Sequence, residues 1–367
     1  MPEEQKDTQP TAQKEDMQVS SADLEGAGEI AAAADQLAAV TLADMVDSEA
    51  GVDELHDSFS DPELWKPHPQ TEDCPVCLVP LPLDVNKSTY LPCCGKKICN
   101  ACLRESDRVL RITNEKRKKK ELPSLDMSCA FCREPNHKSH SELKARIEKR
   151  IAKGDFEAVA IFGMWCQRGL QGFPKDEAKA LELFKKAADM GSAKGMCQLG
   201  HTYIMGTYGC PKNKKKGFRY FEAAAKKGHV PSRYCLGALP LQNDQLSSRS
   251  YHLAIKHLRL AAEAGEKHAV KVIWRAVSIG KLSKTDLEEI LRAHQAARDE
   301  MDSEDRRRLE AYENALTGDD DILKGLYETY YEGIFNAKQL KEALKMHRNG
   351  SGLAEIQKFV AKCGTGK

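Results

Sequence analysis

Apolar and polar residues alternate with the period of an amphipathic helix over much of the second half of the chain. In the segment 179–191, KALELFKKAADMG, leucine, phenylalanine and alanine fall on one helical face, and lysine and glutamate fall on the other. Glycine in the left-handed conformation commonly ends a helix, so we expect this helix to end at Gly191. The pattern predicts a mainly α fold from about residue 142 onward.

This helical pattern repeats every 37 residues. The repeated positions are the glycine of Ala-Ala-x-x-Gly, a second glycine after an apolar residue, and a small residue: Gly191, Gly228 and Gly265; Gly163, Gly200 and Gly237; Ala180, Gly217 and Ala254. We expect the second glycine to let the two helices of a unit approach closely. One helical pair cannot bury its apolar face alone, so successive pairs must stack. The period predicts an α-helical repeat solenoid over 142–298.

The repeat resembles the Sel1-like repeats, which are related to tetratricopeptide repeats. The clearest unit joins QLGHTYIMG at 198–206 to GFRYFEAAAKKG at 217–228, and the resemblance covers about 155–275. It implies an all-helical solenoid that offers a concave surface to a protein or peptide. The third unit departs from the pattern, because Pro240 must end its first helix early.

The chain after the third unit has weaker repeat markers but remains helical in pattern. Residues 266–298 read as a degenerate fourth pair, with Ser283 and Thr285 as the capping signal of its second helix. Residues 299–367 are predicted to form a C-terminal helical cap that keeps the last apolar face out of water. Its helices are expected near 303–316, 321–345 and 352–362, with a break at Asn349-Gly350.

The first 66 residues have a different composition. They hold 17 Asp and Glu residues against three lysines, and their aromatic residues are Phe59 and Trp65. Such a segment cannot bury enough apolar surface to offset the loss of chain entropy, so we predict a disordered acidic tail over 1–66. Within it, residues 29–46 are compatible with a transient helix or with an amphipathic helix formed on a partner.

The chain shows no secretory signal and no apolar run long enough to span a membrane. We therefore expect no membrane partner and a cytoplasmic or nuclear protein, not a secreted one. Thiols stay reduced in those compartments, so the 13 cysteines need a role other than disulfide formation. Eight of them lie within 59 residues: Cys74, Cys77, Cys93, Cys94, Cys99, Cys102, Cys129 and Cys132.

These eight cysteines form three Cys-x2-Cys pairs and one adjacent pair. Two thiolates at this spacing are typical zinc ligands, and four pairs make two four-sulfur sites for two Zn²⁺. The order CPVC, LPCCGKKICNACL and CAFCR resembles a RING domain over 71–137, a small α+β module. The resemblance implies interleaved ligand sets: Cys74, Cys77, Cys99 and Cys102 on the first zinc, and Cys93, Cys94, Cys129 and Cys132 on the second.

The second zinc site departs from the common RING pattern. Lys96 stands where a histidine is usual, and a protonated lysine is a poor ligand. Cys93 must then complete the site, although adjacent ligands require a tight chelate ring. The alternative is that His137 or His140, which follow CAFCR, supplies the fourth ligand.

The RING resemblance implies a ubiquitin ligase that docks a ubiquitin-conjugating enzyme and needs no catalytic residue of its own. Val76, Phe131 and Arg133 match or adjoin three docking positions of that family. The usual tryptophan is missing, and Ala130 replaces the usual proline. Two functions therefore stay open: a RING-type ligase that recruits substrate through the solenoid, and a non-enzymatic scaffold whose zinc module is only a fold element.

Two other features have alternative interpretations. The basic run 116–120 is compatible with a solvated extension, a nuclear-import signal or a nucleic-acid contact, but no aromatic residue interleaves it, so a nucleic-acid partner is not favoured. Cys166, Cys197 and Cys235 lie near the repeat glycines and are predicted to be small core residues.

Overall fold

The computed structural model describes residues 62–66, 72–242, 247–318, 320–351 and 353–364. The predicted helix over 29–46, and the predicted disordered tail up to residue 61, lie outside these ranges. All described residues belong to one unit, Ser48–Lys367, and are mainly helical, as the sequence predicts. No helix among them is both long and apolar enough to cross a membrane.

The cysteine module, residues 72–137, is built on one β-hairpin and one helix. Strand β1 (Ser88–Leu91) pairs antiparallel with β2 (Lys96–Cys99), and Ser88 lies opposite Cys99. Gly95 closes the turn between them at φ +74°. Helix α1 (Asn100–Lys118) follows β2 directly, so the hairpin and the start of the helix hold four of the eight cysteines.

The repeat region forms the predicted helical pairs. After α2 (His140–Ala152), the first three pairs are α3 (Phe156–Arg168) with α4 (Glu177–Asp189), α5 (Ala193–Met205) with α6 (Lys214–Lys226), and α7 (Val230–Ala238) with α8 (Ser248–Glu263). The fourth pair is α9 (Lys267–Ser278) with α10 (Lys284–Glu300). Short side chains begin these helices: Asp155, Asp176, Ser192 and Asn213 each accept a hydrogen bond from the backbone N–H three residues later.

The glycine markers have the two roles predicted for them. Gly191, Gly228 and Gly265 follow the second helices with φ between +81° and +95°. The other three each face a large apolar side chain of the partner helix: Gly163 faces Phe184, Gly200 faces Phe221, and Gly237 faces Leu258. A Cβ on Gly200 would lie 2.5 Å from the Phe221 ring, so only glycine allows this approach of α5 to α6.

The third unit is shortened at Pro240, as predicted. Helix α7 has 9 residues where α5 has 13, and a short 3-10 helix, Pro240–Gln242, follows it. In the fourth pair, the Ser283 side chain accepts a hydrogen bond from the Asp286 N–H and begins α10, which confirms the predicted cap. Cys166, Cys197 and Cys235 are buried in the core of the repeats, also as predicted.

The C-terminal region contains α11 (Glu304–Thr317), α12 (Asp321–Tyr331), α13 (Ala337–Arg348) and α14 (Leu353–Gly364). The single helix expected over 321–345 is wrong, because the chain turns at Gly333, φ +85°, and Asn336 begins a new helix with a capping box. The predicted break at Gly350 is confirmed by its φ of +80°.

The cysteine module packs against both the beginning of the repeats and the C-terminal helices. At the first contact, the Tyr90 hydroxyl donates to Asp155 across 2.6 Å, and Arg150 donates to the same carboxylate. At the second, the buried guanidinium of Arg108 donates to the carbonyl oxygens of Tyr330 and Phe335, at 2.9 and 2.6 Å. The module therefore joins the two ends of the helical region.

Candidate metal centre

The eight predicted ligands gather into the two predicted groups. The first group contains Cys74, Cys77, Cys99 and Cys102, and the second contains Cys93, Cys94, Cys129 and Cys132. Within each group all sulfur atoms lie within 4.8 Å of one another, with Cys77 and Cys99 3.9 Å apart and Cys94 and Cys129 3.7 Å apart. Four sulfurs about 2.3 Å from a tetrahedral zinc lie about 3.8 Å from each other. Each group therefore fits a zinc ion in its dimensions and its donor chemistry.

The first group combines a knuckle with the start of a helix. The Leu78 N–H donates to the Cys74 carbonyl at 2.8 Å, which closes a turn over 74–78 and brings Cys77 beside Cys74. Cys99 is the N-cap residue of α1, and Cys102 lies in its first turn. The Cys99 N–H also points at the Cys74 sulfur, 3.5 Å away.

The second group has a knuckle of the same design. The Arg133 N–H donates to the Cys129 carbonyl at 3.0 Å, and the Phe131 N–H points at the Cys129 sulfur at 3.5 Å. Leu78 and Arg133 follow the last cysteine of the two knuckles and share a left-handed backbone, φ +56° and +57°. The remaining two thiols come from the turn between β1 and β2, which the Leu91 carbonyl holds by accepting from the N–H groups of Cys94 and Gly95.

The structure places Cys93, and neither of the two alternative histidines, with the other three thiols of the second group. His140 begins α2, and its ring lies against Gly172 in the loop between α3 and α4. His137 is exposed, near Arg146. The β-turn therefore contributes two adjacent thiols, Cys93 and Cys94, to the second group, which agrees with one of the two alternatives from the sequence.

The protonation of the thiols suits a metal site. Burial raises the pKa of a thiol, but the N–H groups of Cys77, Cys99 and Val76 together lower the pKa of Cys74 to about 7. The N–H groups of Cys132 and Phe131 lower the pKa of Cys129 to about 7 in the same way. Burial raises the pKa of Cys93 and of Cys102. Burial likewise raises the pKa of Cys77 and of Cys94. Each group thus has one thiol that loses its proton easily and two that a metal would have to deprotonate, so metal binding would release protons.

The predicted docking residues lie around these two groups. Val76 is 45% exposed on the first knuckle, Arg133 is exposed after the second, and Phe131 is partly buried against the core of the module. The structure adds Leu78, which is 75% exposed beside Val76. The sequence pattern gave no signal for Leu78, because a residue that follows a knuckle is not part of the ligand spacing.

A second residue that the sequence did not reveal lies on α11. Arg306 donates through Nη1 to the Pro80 carbonyl at 2.6 Å and through Nη2 to the Val79 carbonyl at 3.3 Å. Leu309 of the same helix is buried in the core of the cysteine module. The C-terminal helices therefore form part of the surroundings of the first thiol group.

The basic run 116–120 lies at the end of α1 and just beyond it. Lys116, Lys118, Lys119 and Lys120 are exposed, whereas Arg117 donates to the Pro123 carbonyl at 2.7 Å and fastens the loop that returns to the second knuckle. This exposure agrees with a solvated extension. It does not test the two alternatives, a nuclear-import signal and a nucleic-acid contact.

Comparison with known proteins identifies the repeats. The Sel1 repeat model matches residues 158–192, 193–229 and 241–266, so the chain contains Sel1 repeats, and the matches do not include the cysteine module. Among solved structures, a Sel1 repeat protein from Oxalobacter formigenes is 24% identical, with 55% of this chain and 74% of that one covered and a TM-score of 0.37. A protective antigen of uropathogenic Escherichia coli with an SLR fold is 20% identical, with 62% and 48% covered and a TM-score of 0.38. No curated protein matches the chain.

Proposed function

Since the chain joins Sel1 repeats to two four-thiol groups, we propose that it is a zinc-binding RING-type ubiquitin ligase that recruits its protein substrate through the repeats. The observation that carries the proposal is the interleaved order of the thiols. The first and third pairs along the chain form one group, and the second and fourth pairs form the other. This is the ligand order of the RING family, and it holds two loops and a helix in one small surface.

In this proposal the residues of the cysteine module have three roles: metal binding, apolar contact and hydrogen bonding. The eight cysteines would hold two Zn²⁺, which supply structure and take no part in the reaction. Val76, Leu78 and Phe131 offer the conjugating enzyme an apolar contact. Arg133 is positioned to hydrogen-bond the enzyme and its bound ubiquitin, which would hold the thioester in a reactive orientation. The catalytic cysteine belongs to the conjugating enzyme.

The second candidate is a protein-interaction scaffold without ligase activity. It is favoured by the packing of α11 on the first knuckle, where Arg306 occupies the carbonyl groups of Val79 and Pro80. The absence of the usual tryptophan and the presence of Ala130 in the second knuckle point the same way. In this case the zinc module would serve to fasten the ends of the helical region.

The test is an autoubiquitination assay of the full chain with a panel of conjugating enzymes, after metal analysis has established two zinc ions per chain. We expect ubiquitin chains that Val76→Ala and Arg133→Ala each reduce at least about tenfold, since each removes a docking contact. Arg249→Ala, which alters an exposed arginine of α8, is the matched control. Two zinc ions with no ubiquitin chains from any enzyme would favour the scaffold.

A further inference from the structure

A short segment from before the cysteine module is bound to the surface of the repeats. Residues 62–66 contain a 3-10 helix, Pro62–Trp65, packed against α6. The disorder predicted for 1–66 is therefore wrong for these five residues. The Leu64 side chain is fully buried. Its cluster comes from the second and third units: Cys197, Ile204, Phe218, Phe221, Ala225, Cys235 and Leu236.

Leu64 lies beside the third unit, whose first helix, α7, is shorter than that of a regular unit. Helix α7 ends four residues early, at Ala238, and Leu239 packs against the same cluster as Leu64. A regular unit would continue its first helix here. Leu64 fills the groove between the second and third pairs, where it packs against side chains of both units.

A buried arginine holds the main chain of this segment. Arg233 on α7 is 1% exposed and donates through Nη1 to the Leu64 carbonyl at 2.5 Å and through Nη2 to the Lys66 carbonyl at 2.9 Å. A buried guanidinium that loses its hydrogen-bond acceptors is left unpaired, which is unfavourable. Arg233 therefore contributes to the binding of a peptide main chain in this groove.

The next residue adds side-chain selectivity. The Trp65 ring lies 4.6 Å from the His257 ring, and the Lys256 ammonium lies 3.9 Å from the Trp65 ring centre. A cation over the face of a tryptophan is a favourable contact. The segment 47–63 that leads to the groove carries seven Asp and Glu residues and no Lys or Arg, whereas α6 begins with three lysines. The groove thus matches an acidic segment that ends in a leucine and an aromatic residue.

We infer that this groove is the peptide-binding site of the repeats, that residues 62–66 are its intramolecular occupant, and that a partner protein with an acidic Leu-aromatic segment competes for it. The inference rests on the proposed role of the repeats in recruiting a protein, and it specifies the chemistry of that protein. A short tether gives the intramolecular segment an effective concentration of about 1 mM, so a partner segment must bind tightly or in several places to displace it.

The experiment uses the full chain and a fluorescein-labelled peptide of residues 57–69, DSFSDPELWKPHP, measured by fluorescence polarisation. The double substitution Leu64→Ala, Trp65→Ala removes the two side chains that fill the groove. We expect this variant to bind the peptide at least about tenfold more tightly than the unaltered chain does. A peptide with the same two alanines should not bind. In the double variant, Lys256→Ala should weaken peptide binding several-fold, and Lys271→Ala, on exposed α9 surface, should not.

A second arrangement covers the case in which the double variant does not fold. A protease site inserted after Gln70 allows residues 1–70 to be cut from the folded chain, and excess unlabelled 57–69 peptide should then release them on size exclusion. Failure of the folded double variant to bind the peptide, or loss of the folded state whenever residues 1–70 leave, would show that 62–66 are a permanent part of the fold and overturn the inference. Peptide binding in a chain that forms no ubiquitin chains would overturn the ligase proposal but not the inference about the groove. Ubiquitin chains from a chain that does not bind the peptide would overturn the inference about the groove but not the ligase proposal.

Discussion

The Nη2 atom of Arg306 lies 3.7 Å from the Cys77 sulfur, although the two residues are 229 positions apart in the chain. Arg306 also binds the two carbonyl groups that follow the first knuckle. The guanidinium of Arg306 can donate to the Cys77 sulfur, and its two carbonyl contacts fix the guanidinium in that position, so Arg306 would orient this ligand. Helix α11, which lies far from Cys77 in the sequence, thus forms part of the surroundings of the first thiol group.

Arg306→Ala should weaken metal binding at the first group without removing any ligand. Outer contacts of metal ligands typically contribute 10- to 100-fold in affinity, and we expect a loss of about tenfold. Competition with a chromophoric chelator would measure the metal affinity. The titration should show two transitions, one for each thiol group. The neighbouring Arg307, whose partner is the surface residue Asp302, provides the control: Arg307→Ala should leave both transitions in place. Equal chelator curves for the two variants would contradict this role of Arg306.

Cys99→Ser should reduce the metal content from two ions to one and loosen more than the cysteine module. Arg108 of the adjacent helix α1 binds the carbonyls of Tyr330 and Phe335, so α12 and the chain after it lose their anchor when α1 is displaced. Limited proteolysis should cut in 72–137 and around 330–336, while the fragment from α3 to α9 stays protected. Cys363→Ser, outside both thiol groups, is the control. Protection of 330–336 in the Cys99 variant would contradict the coupling.

Two glycine substitutions should change stability in opposite directions. Gly200→Ala places a methyl group 2.5 Å from the Phe221 ring and should lower the free energy of unfolding by about 1–3 kcal/mol. Gly325→Ala lies in α12 with no atom within 4 Å of the new methyl group, so its helix propensity should raise that free energy by about 0.5–1 kcal/mol. Urea unfolding of both variants measures the difference. A stabilising Gly200→Ala would show that helices α5 and α6 can separate without cost.

Acid should destabilise the repeats through two histidines, His257, which is buried, and His201, which is partly buried. Burial lowers the pKa of His257 to about 3, with a further contribution from Arg233 and Lys256, and burial lowers the pKa of His201 to about 4. The unfolded chain therefore binds more protons below pH 6.5 than the folded chain does. Stability should be complete above that pH and fall by about 1.4 kcal/mol per pH unit for each histidine on the way down to its folded pKa. His257→Asn should flatten the slope between pH 6.5 and 4, and His252→Asn, on the exposed side of α8, should not.

Local sequence patterns predicted the parts of the fold that depend on neighbouring residues. The 37-residue period located the helical pairs, because the apolar face and the glycines of each pair lie within one unit. The cysteine spacing located the ligand pairs for the same reason. Gly333 was missed as a helix end because it stands in an otherwise continuous helical pattern, and a single glycine is tolerated in many helices.

The rest depends on contacts between distant segments. Nothing near Arg306 or Arg108 in the sequence indicates that these arginines bind carbonyl groups more than 200 positions away. Leu64 and Trp65 are two apolar residues in an acidic segment, and the burial of Leu64 depends on a groove that exists only after the third unit has folded. The order of these two residues follows from tertiary contacts. The composition of the segment does not contain those contacts, and it therefore predicted disorder for Leu64 and Trp65.

The junction of the cysteine module with both ends of the helical region restricts how this protein can change by mutation. An open array of repeats can gain or lose a unit by duplication or deletion, since each unit contacts only its neighbours. Here an added unit of 37 residues would move α11 away from the module or pull Tyr90 away from Asp155. The number of repeats is thereby fixed, and variation is confined to side chains on the surface and to loops such as the one after Pro240.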